Sequence, residues 1–231
     1  MMICPETYYE EYLKGKNAEQ IMTAIRGLKQ EIGRLKNIAE HPDYQCMMQP
    51  SEGVRISCIR DYIARAKQAL VDVGGTYTPS KAELKVEEIN ANIPYVCKVE
   101  FSIGGYFGGF ETRTYTIDGE LVQEEYDHTL MLPPSYFYEP DEDDELDKES
   151  FLGGLADLYL GEWRKNYNPS RFGYAVLDGT QWHLYLYFSN GHKPLKIHGS
   201  NDYPYNFDRL LDHLNIDPWA REAENGKDQD N

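Results

Sequence analysis

The sequence predicts an α+β protein: an N-terminal antiparallel helical hairpin with a third helix, then a module with an antiparallel sheet built of meanders and two helices. Three observations predict it. Apolar residues recur at alternating spacings of three and four as far as residue 92, the period moves toward two after Ile93-Pro94, and Asp-Gly and Asn-Gly pairs punctuate the C-terminal half. The chain has 231 residues, 41% of them hydrophobic and 27% charged, a globular composition with room for one large or two modest cores.

Ile21, Ile25, Leu28, Ile32, Leu35 and Ala39 form one seam, which starts after Asn17 and stops at His41-Pro42, because the residue before proline is pushed out of the α region. A second seam, Ile56, Ile59, Ile63, Ala66, Leu70 and Val73, begins after Pro50-Ser51 and ends at Gly74-Gly75. Two such helices with a short connection form a hairpin. Thr78-Pro79-Ser80 opens the third helix, 81–91, with proline at or just before its first turn. Gly27 and Gly33 inside the first helix are expected to permit close helix approach. The basic residues Arg26, Lys29, Arg34, Lys36, Arg55, Arg60, Arg65 and Lys67 are interleaved with Glu19, Glu31, Glu40, Glu52 and Asp61. That is the pattern of a solvated mixed-charge face and not of a phosphate-tracking stripe.

In the second module, strands are expected at 95–103, 110–117 and 120–126, with Asp118-Gly119 as a two-residue hairpin turn. The Gly104-Gly105-Tyr106-Phe107-Gly108-Gly109 run lacks the Lys-Ser/Thr ending of a phosphate loop and leads into a strand, so it reads as a hairpin loop. Phe151, Leu152, Leu155, Leu158, Tyr159 and Trp163 mark a helix over 148–164. Asp178-Gly179 and Asn190-Gly191 delimit a three-stranded meander, 171–177, 180–188 and 192–198. The second turn sets Leu186 opposite Leu195, Leu184 opposite Ile197 and His183 opposite His198; the first sets Ala175 opposite Trp182. One face, Ala175, Leu177, Trp182, Leu184, Leu186, Phe188, Leu195 and Ile197, is the expected core. The other carries Phe172, Tyr174, Val176, His183, Tyr185, Tyr187, Lys196 and His198, and is either covered by another element or is a contact surface. Asn206 is the expected cap of a last helix, 207–214, and the tail 219–231 is polar. The organisation read from sequence is thus a helical module 1–92, an α+β module 93–218 with an acidic linker 139–149, and the tail.

Charge is divided unequally between these modules. Residues 1–92 carry 12 Lys+Arg and 13 Asp+Glu, whereas residues 93–231 carry 11 and 26. Within 139–149 there are eight acids, among them Asp141, Glu142, Asp143, Asp144 and Glu145, against Lys148 alone; such a block stays solvated, and its negative charge complements the N-terminus of the helix after it. A net charge of −16 repels phosphate backbones, so direct nucleic-acid binding is disfavoured. The 19 tyrosines against 8 phenylalanines favour a protein partner, since tyrosine joins an apolar body to a polar tip. No apolar stretch approaches the ~20 residues that span a bilayer, the N-terminal residues lack the features of a secretory leader, and Cys4, Cys46, Cys58 and Cys97 contain no CxxC pair. A cytoplasmic protein with free thiols is therefore expected.

The run from Trp182 through Ser189-Asn190-Gly191 to Gly199-Ser200-Asn201-Asp202-Tyr203-Pro204-Tyr205-Asn206-Phe207-Asp208-Arg209-Leu210-Leu211 resembles the ending of a set of uncharacterised bacterial proteins. In these a β-hairpin is followed by a Gly-Ser-Asn-x-Tyr-Pro-x-Asn-Phe turn and a short helix. The likeness marks a fold. It carries no activity and no functional residues.

No motif identifies a reaction. A shared metal at His183 and His198, with Asp202 as third ligand, falls short of the three or four convergent ligands a transition metal takes, so no metal or cofactor is expected. Glu124, Glu125 and Asp127 near His128 are the other acid-base candidates. The leading expectation is a non-enzymatic interaction or inhibitory protein. Its acidic block, Asp141 to Glu145, and its Phe172, Tyr174, His183, Tyr185, Tyr187, Lys196 and His198 face would dock on a basic nucleic-acid-binding protein, and a mobile-element-encoded inhibitor imitating DNA charge fits that pattern. The alternatives are an enzyme with a site between the modules near His183 and His198, and a weak nucleic-acid binder using the N-terminal helices.

Overall fold

The computed structural model describes residues 3–45, 49–105, 109–129, 146–176 and 178–216. The chain divides into two compact units, Met1–Ser80 and Lys81–Asn231. The third helix, which periodicity groups with the N-terminal pair, is therefore counted with the sheet.

The first unit consists of a short helix α1 (Pro5–Tyr8), a π-helical turn (Tyr9–Leu13) and the helices α2 (Ala18–Ala39) and α3 (Glu52–Asp72). Asn17 and Gln20 form a reciprocal capping box on α2, and the Ser51 hydroxyl caps α3 by accepting from the Val54 amide at 3.4 Å; together these satisfy amides that have no intrahelical partner. Ile21, Ile25 and Leu35 of α2 are buried, as are Ile56, Ile59, Ile63, Ala66 and Leu70 of α3. Gly27 and Gly33 do not serve close approach: a Cβ at either would meet nothing within 4 Å. Arg34 and Arg55 both pair with Glu31, at 2.7 and 3.3 Å, and Arg65 pairs with Glu6 at 3.0 Å. The mixed-charge reading of this face is thus realised as ion pairs.

The second unit holds helix α4 (Lys81–Asn92) and the strands β1 (Val96–Gly105), β2 (Gly109–Asp118), β3 (Leu121–Thr129), β4 (Leu146–Asp147), β5 (Asn166–Tyr167), β6 (Thr180–Phe188) and β7 (Leu195–Ser200). Helices α5 (Lys148–Asp157) and α6 (Phe207–His213) complete it. The seven strands form one sheet in the order β4-β3-β2-β1-β6-β7-β5, antiparallel except for the β5-β7 pair. Asp118 pairs with Leu121, so the two turn residues are Gly119 and Glu120 and not the expected Asp118-Gly119. Gly119, at φ 64°, takes the first turn position and Asp118 ends the strand. Gly105 pairs with Gly109, so β1 and β2 form a hairpin. The β6-β7 register sets His183 against His198, Leu184 against Ile197 and Leu186 against Leu195, as the Asn-Gly turn dictates.

The expected first strand of the C-terminal meander, 171–177, does not form. Pro169 opens a 3-10 turn, Pro169–Phe172, whose N-cap Asn168 accepts from the Ser170 amide, and Gly173 ends it at φ 85°. The place beside β6 is taken by β1, with Val99 against Leu186 and Phe101 against Leu184. Ala175 is accordingly exposed, not core, and Leu177 lies outside the described residues. The helix expected over 148–164 stops at Asp157, because Tyr159 adopts a left-handed backbone at φ 52° before a 3-10 turn, Leu160–Glu162.

One sheet face carries the core. Its cross-strand rows read Leu195, Leu186, Val99, Tyr115 and then Ile197, Leu184, Phe101, Arg113, and α5 and α6 pack on it through Phe151, Leu155, Phe207 and Leu210. The run resembling the bacterial endings locks this arrangement. A Cβ on Gly199 would stand 2.0 Å from Trp182 Nε1, so only glycine lets the indole lie across β7. That indole donates to the Asp202 carbonyl at 3.0 Å. Asp202, almost fully buried, takes a two-point ion pair from Arg171 at 2.8 and 3.2 Å. Asn206 occupies the cap position of α6, yet its amide makes no cap bond. It turns inward, accepting from Trp163 Nε1 at 3.0 Å and donating to the Leu158 carbonyl at 2.9 Å.

Replacing Asn206 with Ala strands a buried indole N–H and a buried carbonyl. The Asn206→Ala protein is expected to lose about 2–4 kcal/mol of stability, read as a lower urea midpoint by tryptophan fluorescence. A midpoint equal to the parent's would show that these two bonds are dispensable.

Candidate functional site

Strict alternation along β1, β2, β6 and β7 sends every second side chain to the face opposite the core. Two cross-strand rows dominate that face: Lys196, Tyr185, Glu100, Thr114, Glu125, and His198, His183, Ser102, Thr112, Asp127. The first ends of the rows are aromatic and basic, and the far ends are acidic. Lys196 and His198 are exposed, while His183, Tyr185 and Tyr187 are half-buried. Five of the expected site residues are therefore brought together on one surface.

The aromatic end is a connected cluster. The His183 ring stacks on Tyr185 with centroids 4.3 Å apart, and Tyr185 meets His198 edge-on at 5.2 Å. The Tyr185 hydroxyl lies 3.4 Å from His198 Nδ1, and Lys196 Nζ sits 4.9 Å over the Tyr185 ring, within cation-π range. His183 Nε2 is 3.4 Å from Glu100 Oε1. Burial holds the His183 imidazole below its ordinary value, and the Glu100 carboxylate opposes that by favouring the protonated ring. Burial, with the Glu100 and Tyr187 charges behind it, raises the Tyr185 phenol. The cluster is thus a set of rings whose hydroxyl and imidazole groups offer hydrogen-bonding positions at the surface.

At one corner of this face the surface dips into a concavity of about 450 Å³. Its lining comes from Phe110 of β2, Gln181, Trp182 and His183 of β6, His198, Gly199 and Ser200 of β7, and Asn166, Tyr167 and Asn168 beside them. Phe110, Gln181 and Ser200 share the alternation parity of His183 and His198. The short strand β5 forms one wall because the Lys165 carbonyl accepts from the His198 amide at 2.9 Å.

Other expected residues are placed elsewhere. Phe172 lies in the 3-10 turn and Tyr174 in the segment after it, so neither belongs to the sheet face; the turn is held by Arg171, which is anchored to Asp202. The same ion pair commits Asp202, so it is no third ligand for His183 and His198. Among the described residues no group of three His, Cys, Asp or Glu side chains is placed to hold a metal ion. Asp141, Glu142, Asp143, Asp144 and Glu145 lie outside the described residues. The acid-base group around Glu124 is split by alternation: Glu124 turns to the core side, 3.0 Å from Arg113 Nη1, while Glu125 and Asp127 face the other way. His192 is half-buried, with Nε2 3.2 Å from Glu88 and its ring edge-on to Phe188 at 4.9 Å.

Sequence reasoning missed Glu100, Ser102, Phe110, Gln181 and Ser200 as members of this surface. Their parity was readable in each strand, since Lys98, Glu100 and Ser102 alternate with Val99 and Phe101. Glu100 and Ser102 are joined to His183 by the pairing of β1 with β6, strands about eighty residues apart in the chain, and Phe110 by the further pairing of β2 with β1. Gln181 lies on β6 itself and Ser200 pairs with it. Comparison with protein families, curated proteins and solved structures finds no match for this chain, so the functional reading rests on the geometry above.

An NMR titration checks the electrostatics of the cluster. His183 is expected to titrate below the ordinary ~6.5 of a free histidine, and Glu100→Gln is expected to lower it further, because the variant removes the carboxylate that favours the imidazolium. Since the folded value is depressed, the contribution of His183 to stability is present above the unfolded value and is lost as pH falls through the folded one. An upward shift in Glu100→Gln would contradict the assignment.

Proposed function

We propose that this protein is a non-enzymatic interaction protein of inhibitory type, whose acidic second unit docks through its open sheet face on a basic partner of the nucleic-acid-binding kind. The observation that carries this reading is the make-up of the face. His183, Tyr185, Tyr187 and His198 offer amphipathic rings at one end, with Lys196 beside them, and Glu125 and Asp127 offer acid at the other. Aromatic anchors of this kind supply most of the binding energy at protein interfaces, while acidic surroundings steer a basic partner and set the orientation of approach.

The acidity adds weight to the same reading. Residues 93–231 carry 26 acids against 11 Lys+Arg, and only some of these acids are used inside the fold. The Asp141 to Glu145 block belongs to the proposal as a source of long-range attraction, in the manner of a DNA-charge mimic. Among the described residues no helix is long and apolar enough to cross a membrane; a cytoplasmic setting is part of the proposal.

The test is binding to a panel of purified basic DNA-binding proteins by calorimetry as salt is raised. The affinity of a true partner is expected to fall steadily with ionic strength, and Tyr185→Ala with Tyr187→Ala is expected to weaken it by about tenfold or more. Tight association that ignores salt would overturn the electrostatic part. Affinity untouched by the double substitution would overturn the role of this face.

A further inference from the structure

The corner concavity of about 450 Å³ has a lining whose chemistry excludes most ligand classes. Among the described residues neither Lys nor Arg lines it, and the chain carries a net charge of −16, so a phosphate or carboxylate would find no cation in that lining and an unfavourable field around it. Nor does a described Asp or Glu line it, which leaves a metal ion or an ammonium group without a charged oxygen ligand there. An apolar ligand would desolvate the side-chain amides of Gln181, Asn166 and Asn168, the Ser200 hydroxyl and two imidazoles without replacing their hydrogen bonds, at a cost of about 1–3 kcal/mol for each group.

A flat aromatic base fits no better. Of the described rings at the concavity, Trp182 and Tyr167 are each 3% exposed, one face of the His183 ring is occupied by Tyr185, and Phe110 is half-buried at one side. These rings offer no pair of open faces to sandwich a base. What remains is a neutral ligand rich in hydrogen-bonding groups, in a concavity within the ~300–1,000 Å³ range of small-molecule sites. The supply of partners suits it. The Asn168 side-chain oxygen accepts from the Ser170 amide at 2.9 Å, and the NH₂ group of the same side chain is a donor. Gln181 is exposed beside it, His183 and His198 present rings whose centroids are 6.3 Å apart, and half-buried Phe110 closes one side with an apolar ring.

We infer that this corner binds a neutral polyhydroxylated ring, a saccharide or sugar-like polyol. Vicinal hydroxyls both donate and accept, matching amides, a hydroxyl and imidazole nitrogens, while the C–H face of the ring packs on Phe110. The inference involves neither Tyr187 nor Lys196 and needs no protein partner, so the docking proposal and this one stand or fall separately.

The test uses the full chain and saturation-transfer NMR with glucose, N-acetylglucosamine, ribose, inositol and maltotriose, while the imidazole signals of His183 and His198 are followed. Transfer to ring protons with movement of both imidazole signals is expected for at least one sugar. A response to maltotriose alone points to part of a glycan, and a response to a monosaccharide points to a free sugar. Gln181→Ala and His198→Ala remove exposed side chains and should leave the amide spectrum dispersed. Each is expected to cut the transfer by about fivefold, the equivalent of one hydrogen bond. Absence of transfer to every sugar overturns the inference, as does transfer undiminished in both variants. Inorganic phosphate or free adenine moving the two imidazole signals where sugars do not would overturn it as well.

Discussion

The orientation of Trp182 is the constraint on which the second unit depends. Its indole lies over Gly199 of β7, donates to the Asp202 carbonyl and packs against Phe207 at 4.7 Å, Tyr167 at 5.8 Å and Trp163 at 6.3 Å. These contacts join two strands, the turn after β7, helix α6 and the segment before the 3-10 turn. Because successive side chains in a strand point to opposite faces, a buried Trp182 obliges His183 to face outward. The same parity carries Gln181 and Tyr185 with it, and the β7 register brings His198 alongside. A slip of one residue would reverse every one of these assignments. The site and the core are thus two consequences of one register.

Charge is handled inside the core as well as on its surface. Arg113, 5% exposed, lies on the core face of β2 and is held by Glu111 and Glu124 at 3.0 Å each. It also reaches the Leu214 carbonyl at the end of α6 at 3.3 Å, and the Tyr115 hydroxyl donates to that carbonyl at 2.9 Å. Burial raises the Tyr115 phenol far above its ordinary value, so it remains a donor throughout the range in which the protein works. Such a network needs every member: an unpartnered ion in that position would cost several kcal/mol. It ties the C-terminal end of α6 to the middle of the sheet, in the direction opposite to the open face.

This sorting refines what the acidic composition means. Glu111 and Glu124 neutralise a buried arginine, Asp202 holds Arg171, and Asp147 caps α5 by accepting from the Ser150 amide at 2.9 Å. That amide bond holds the Asp147 carboxyl below the usual carboxylate range. These acids are committed to the fold and are not available to a partner. Glu125 and Asp127 on the open face are of the other kind, since β3 exposes them to solvent. A total of charges does not separate the two groups. The parity of each residue in its strand does.

Local signals in the sequence determined the elements whose cause is local. The 3-4 spacing and the caps at Asn17 and Ser51 defined two long helices, and the Asn190-Gly191 pair set the β6-β7 register. The glycine of Asp118-Gly119 marked the β2-β3 hairpin with its turn one residue later than expected, and the alternation in 182–188 divided core from surface correctly. Only the tertiary structure decided which strand lies beside β6. An Asp-Gly pair at 178–179 promised a hairpin, but Pro169, Asn168 and Gly173 curl the preceding segment into a turn, and the Arg171 pair with Asp202 keeps it there. β1 fills the place instead, and Glu100 and Ser102 thereby join His183 and His198 in one surface. Short-range rules reach as far as a hydrogen-bonded turn or a helical face. The composition of the site depends on a strand pairing closed across the length of the second unit, where burial of the sheet's apolar face outweighed the preference of a single turn.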